Sequence, residues 1–207
     1  MKFEWRKDAK KFYLPKAQPE MITVPPQKFF ILCGQGNPNS DRFAEEVGVL
    51  YALSYAIKMM PKNNITPEGY FEYTVFPLEG IWDLAEEARG LDSLDKDKLV
   101  YTIMIRQPDF VTDDLAQLAI EKAKQKNPHP LYDKVRFGSI EDGLCVQMMH
   151  VGPYDSEPES FAKMEAFCRE NNLKRKSLTH REIYITDPRR TPPEKRKTEL
   201  RFKVEKV

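Results

Sequence analysis

Glu182 is the residue in this chain whose type and setting most need a chemical explanation. It stands in the middle of His180-Arg-Glu-Ile-Tyr-Ile-Thr-Asp-Pro188, which otherwise reads as a strand. Period-two alternation sends His180, Glu182 and Tyr184 to one side and Ile183 and Ile185 to the other. A carboxylate sharing its side with aromatic groups is either solvated or functional. Tyr70, Phe71, Tyr73, Phe76, Trp82, Tyr101, Tyr154 and Tyr184 lie on or beside expected strands, and most such rings belong to a core. Together with one or two acids they can also wall a cleft for planar or cationic molecules, through stacking and cation–π attraction. The closing segment Thr198-Glu-Leu-Arg-Phe-Lys-Val204 sets Leu200, Phe202 and Val204 against Glu199, Arg201, Lys203 and Glu205. It reads as a strand with one wet face, so Glu199 is expected in solvent.

Other chemistries find little support. His129, His150 and His180 fall on separate elements without a paired ligand nearby, so no metal is expected, and nothing implies a cofactor. Gly34-Gln-Gly36 lacks the third glycine and the parallel setting of a dinucleotide fingerprint. No Gly-x-Ser-x-Gly elbow is present, which leaves hydrolysis assisted by a carboxylate base open. The run Arg189 to Lys197 carries twin prolines and reads as a solvated loop. Cys33, Cys145 and Cys168 are far apart among apolar residues and read as buried thiols outside any disulfide framework.

The elements that position these residues follow from pattern. The 207 residues are 41% hydrophobic and 31% charged, enough to bury a core. A net charge of +1 provides no field for nucleic acid or an anionic membrane. No apolar leader or spanning stretch is legible, so a cytoplasmic protein is expected. Residues 1–20 read as an N-terminal arm and 21–207 as a single domain. Strands are expected near 27–33, 70–77 and 99–107, with a helix opened by Ser40 and a second helix over 113–126 opened by Thr112. The order then recurs: a strand near 143–150, a turn at Gly152, a capping box at Ser156-Glu-Pro-Glu159, a helix, and strands near 181–186 and 198–204. Gly34 precedes Phe43 by nine residues, as Gly152 precedes Phe161. The reading is an α+β fold of two pseudo-symmetric β-α-β-β repeats, about 21–110 and 131–207. They pair into one antiparallel sheet with helices on one face and a ligand cleft on the other.

Pro77-Leu-Glu-Gly-Ile-Trp82, Ile105 to Val111, Gln147-Met-Met-His-Val-Gly-Pro-Tyr154 and His180 to Arg190 together resemble the GyrI-like small-molecule-binding domains, over most of the chain. The resemblance implies a pseudo-twofold cleft with a buried glutamate that meets cationic or aromatic ligands, and Glu182 matches that glutamate. Relatives often have a histidine just before it, where this chain has Arg181. Many relatives carry a helix-turn-helix, for which the residues before the first strand are too few, so direct nucleic-acid binding is not expected. Stand-alone relatives are associated with hydrolytic opening of cyclopropane rings. The resemblance thus implies a detoxifying hydrolase in which Glu182 activates water and Trp82, Tyr154, Tyr184, Tyr70 and Tyr101 line the cleft, with His150 or His180 in support. The alternative is a non-catalytic binder that sequesters or senses cationic or aromatic compounds. A homodimer is compatible with either.

Overall fold

The computed structural model describes residues 2–86 and 95–207. The chain is α+β, and its strand ladders among the described residues are antiparallel. It divides into two compact units.

The first unit comprises Met1–Glu4, Gln27–Leu78 and Asp83–Ile140. Its central strand is β2 (Gln27–Gln35), paired on one side with β4 (Leu99–Gln107) and on the other with β5 (Arg136–Ile140). Two helices, α3 (Asp41–Lys58) and α4 (Asp113–Lys126), pack on each other. Both open as their sequences require: the Ser40 hydroxyl accepts from the Phe43 amide, and Thr112 from the Leu115 amide. The expected strand at 70–77 is replaced by coil with a single bridge, Phe3 to Tyr73. Pro67, Gly69 and Pro77 punctuate that stretch, and Tyr73 is buried there without a ladder. The strand lies later, as β3 (Leu78–Leu84). Part of the polar stretch from Asp83 to Lys98 lies outside the described residues.

The second unit comprises Trp5–Pro26, Glu79–Trp82 and Glu141–Val207. Its strands run in the order β1 (Glu20–Val24), β6 (Gly143–Val151), β9 (Lys197–Lys206), β8 (His180–Tyr184) and the Glu79–Trp82 part of β3. The short β7 (Leu173–Arg175) also pairs with β9. One helix, α5 (Glu157–Glu170), covers one face. Met164 and Cys168 from α5 meet Val146, Met148, Leu200, Phe202 and Val204 from the sheet in one apolar cluster.

The opposite face is closed by the N-terminal arm. Its two short helices, α1 (Trp5–Asp8) and α2 (Lys10–Tyr13), bury Trp5, Ala9 and Tyr13. The Arg6 guanidinium donates to the Ile185 carbonyl, Gln147 donates to Lys11, and Arg201 donates to Phe12. This arm overturns the expected wet face of β9. The alternation is as read, but Glu199 is 0% exposed and Arg201 2%, while Lys197, Lys203 and Glu205 reach solvent. Segments nearly the whole chain apart cover those side chains, so local pattern could not reveal it.

Two smaller expectations also change. Ser156 does not form the capping box, since its hydroxyl donates to the Pro153 carbonyl at 2.8 Å and leaves the helix amides uncapped by its side chain. Cys33 is exposed on β2 rather than buried.

Candidate functional site

β8 delivers its side chains as the alternation requires. Glu182 stands opposite Leu200 of β9 and Gly80 of β3, and His180 opposite Trp82. Directly paired residues share a face, so Glu182, Tyr184, His180 and Trp82 all stand on the face that carries α5. A face free of helices was expected for them. Arg181 and Ile183 point to the arm side.

Around Glu182 the polar atoms converge. Tyr184 donates its hydroxyl proton to Oε2 at 2.8 Å and accepts at 2.8 Å from the indole Nε1 of Trp82. The His180 Nε2 lies 3.0 Å from Oε1, and the imidazole packs edge-on to Phe161 of α5 at 4.8 Å. The Glu182 side chain is 12% exposed, so an edge of it meets solvent while most of its surroundings are protein. Burial, then the charge of Glu182, holds the Tyr184 hydroxyl far above its ordinary range.

The site has a second carboxyl that sequence reading passed over. Glu157 opens α5, is 7% exposed and lies beside Glu182, while its Oε1 has no hydrogen-bond partner. Burial, with the Glu182 charge next, pushes Glu157 up to about 9. At neutral pH Glu157 is therefore held in its protonated form. The sequence signal was available: Glu157 falls three residues after Tyr154, but the stretch reads first as a helix start.

The loop ahead of α5 is built to deliver this acid. Gly152 leaves β6 at φ 144°, a conformation that favours glycine. His150 is 4% exposed, with Nδ1 at 2.9 Å from the Ser160 hydroxyl and Nε2 at 3.0 Å from the Pro153 carbonyl. Both ring nitrogens are thus engaged in holding the turn, and His150 positions Tyr154 and Glu157. Tyr154 packs edge-on to Tyr184 at 6.2 Å, and the Arg196 guanidinium lies 5.5 Å from its ring centre. Burial first, then Glu182, pushes the Tyr154 hydroxyl up to about 12. Gly80 leaves room for the indole: a Cβ there would lie 2.6 Å from Trp82 Nε1.

The structure therefore gathers Glu182, His180, Tyr184, Trp82 and Tyr154 of the expected residues, with His150 behind them. Tyr70 and Tyr101 belong to the first unit, where each hydroxyl has its own partner. Tyr70 donates to the Lys58 carbonyl at 3.1 Å, and Tyr101 donates to Glu46 at 2.7 Å. Glu46 is 0% exposed and also accepts from Arg42 at 3.2 Å. Arg181, at the position where relatives often carry histidine, pairs with Glu79 at 2.6 Å and Asp142 at 2.9 Å on the arm side. Among the described residues, no group of three His, Cys, Asp or Glu could hold a metal ion, and no helix is long and apolar enough to cross a membrane.

The model of the GyrI-like small molecule binding domain matches residues 17–205. The chain is similar to a solved Listeria innocua protein described as an uncharacterized conserved protein, at 39% identity and a TM-score of 0.91, over 98% of this chain and 100% of the other. It is also similar to a Listeria innocua protein described as a hydrolase, at 37% identity and a TM-score of 0.89, over 98% and 100%. The EcmrR C-terminal domain shares the fold at 14% identity and a TM-score of 0.53, over 92% of this chain and 98% of that domain. No curated protein matches the chain.

Proposed function

Given that the chain belongs to the GyrI-like small-molecule-binding domain family, we propose that it hydrolyses electrophilic aromatic compounds, cyclopropane-bearing ones among them. The observation that carries this reading is the closeness of a protonated Glu157 to Glu182 beside aromatic rings. A site for binding alone needs one counter-charge; a proton donor next to a proton acceptor suits addition of water. Similarity to a Listeria innocua protein described as a hydrolase supports the same reading.

In the proposed reaction Glu182 takes a proton from water as the water oxygen bonds to the electrophilic ring carbon. The strained carbon–carbon bond breaks, and its electron pair moves into the substrate's conjugated carbonyl. Glu157 protonates that carbonyl oxygen. The proton on Glu182 then passes to the neighbouring Glu157, which restores the pair. Trp82, Tyr154 and Tyr184 offer ring surfaces for a flat substrate, and His180 and Tyr184 orient the carboxylate.

Mass spectrometry of a cyclopropane-bearing conjugated ketone incubated with the protein tests this. The expected product is the compound plus one water, lost in Glu182→Gln. Recovery of the compound intact but bound would replace the enzyme with a protein that sequesters its ligand.

A further inference from the structure

The sheet of the first unit has a face turned away from α3, and polar groups stand on it that the chemistry of Glu157 and Glu182 does not use. Tyr101 and Gln107 of β4 reach Glu46 and Ser54 of α3, so the even-numbered residues between them alternate to the far face. Arg106 is one of these, and it stands opposite Phe29 of β2. Gln27, two residues before Phe29 on the same strand, shares its side. That makes Gln27 the diagonal neighbour of Arg106, a separation that long side chains span.

Both side chains are short of partners. Gln27 is 5% exposed, and its Nε2 has no hydrogen-bond acceptor. Arg106 is half-buried, with Nε and Nη1 enclosed and without an acceptor, and no carboxylate pairs with it among the described residues. A ring stands beside it instead: the guanidinium lies 4.9 Å from the centre of Phe76. Phe29, Met104 and Phe76 are all buried, so this part of the face is covered and apolar. An aromatic ring returns only part of what a guanidinium loses on leaving water. Arg181 and Arg201 each meet carboxylates, whereas Arg106 keeps a charge that its neighbours do not balance. Buried donors left over in this way mark a place for an acceptor from outside the chain.

We propose that Arg106 and Gln27 form a second binding site, for a monocarboxylate with an aromatic or branched apolar body. The guanidinium supplies the opposite charge, and the Gln27 amide donates to a carboxylate oxygen. Phe76, Phe29 and Met104 offer surface to the apolar body. One negative charge balances Arg106. A phosphate dianion would bring a second charge, and more bound water to strip, into apolar surroundings. A neutral amide would leave the guanidinium unbalanced.

The test is calorimetric titration of the whole protein with benzoate, with benzamide as its uncharged counterpart and inorganic phosphate as the dianion. Expected are saturable binding of benzoate alone and affinity weakened about ten-fold or more in Arg106→Met. Gln27→Glu is the second variant, because it places a permanent carboxylate beside Arg106. It should abolish benzoate binding and raise the urea midpoint above that of the wild type. Added benzoate should raise the midpoint of the wild type and leave that of Gln27→Glu unmoved. Benzamide or phosphate binding as tightly as benzoate overturns the assignment of the ligand. Absence of saturable benzoate binding up to ~10 mM, or unchanged affinity in either variant, overturns the site. None of these readouts depends on turnover, so the hydrolytic reading stands or falls separately.

Discussion

Glu182 and Glu199 stand on neighbouring strands of one sheet, on opposite faces, and both are removed from bulk water. Their company differs. Glu199 is fully buried against the Arg201 guanidinium, which also bonds Gln147 and the Phe12 carbonyl and pairs with Asp142. Glu182 instead bonds a tyrosine and a histidine, lies beside Glu157, and keeps 12% of its side chain exposed. The arm shuts Glu199 off from water, and burial outweighs Arg201 and raises its carboxyl to about 8, so it is isolation and not a weak affinity for the proton that keeps Glu199 from meeting a solute. Neutral donors and a partly exposed side chain suit Glu182 to the role proposed for it. Burial alone therefore does not distinguish the two acids; access to solvent does.

The contrast breaks first if Glu182→Gln leaves hydrolysis intact. Loss of a general base should lower turnover about 10²–10⁴-fold, while the urea midpoint stays near that of the wild type. The converse change, Glu199→Ala, should leave the residues around Glu182 in place and act on stability. Stranding a buried Arg201 without its partner costs about 3–5 kcal/mol, read as a lower urea midpoint. A cost under about 0.5 kcal/mol, as for an exposed strand acid, would mean that the arm does not seal this face.

pH sharpens the comparison. The folded value of Glu157, about 9, lies above the ordinary 4.5, so folding favours its protonated form. The stabilising contribution is fully present below about 4.5 and is lost as pH rises through about 9, at a slope of at most about 1.4 kcal/mol per unit. Glu199 titrates in the same sense, near 8, and the difference between wild type and Glu157→Gln isolates Glu157. The variant should gain stability over the wild type as pH rises from 5 to 9, measured by urea melts at each pH. Activity should fall on the alkaline side as Glu157 loses the proton it donates. The smallest effect is expected for Tyr184→Phe, which removes one bond to Glu182 and the acceptor of Trp82. Its net cost is about 1 kcal/mol, seen as a several-fold loss of turnover with little change in melting.

Much of this was legible in the chain because it is local. Alternation along 180–185 put His180, Glu182 and Tyr184 together, and the Ser40 and Thr112 caps and the 113–126 helix follow from short-range rules. What escaped depends on partners distant in sequence. Glu157 looks like first-turn decoration until β8 is placed beside it, and Glu199 looks wet until residues 5–16 are laid over it. The short strands Glu20–Val24 and Arg136–Ile140 escaped because each takes its register from a longer partner, β6 or β2. The left-handed turn before the first long helix belongs to Gly36 at φ 118°, while Gly34 lies in the strand with no room for a Cβ beside Tyr101.

The arm has a consequence for how the chain is made. Its bonds to β9 and to the end of β8 join residues 189 and 179 positions apart, so α1 and α2 leave the ribosome long before the surface they cover exists. At roughly 5–20 residues per second, Trp5, Ala9 and Tyr13 wait about 10–40 seconds with their apolar sides unpaired. The second unit can close only after β9 has emerged, which makes its folding slow for its size and leaves the arm as the segment that a chaperone or a protease meets first.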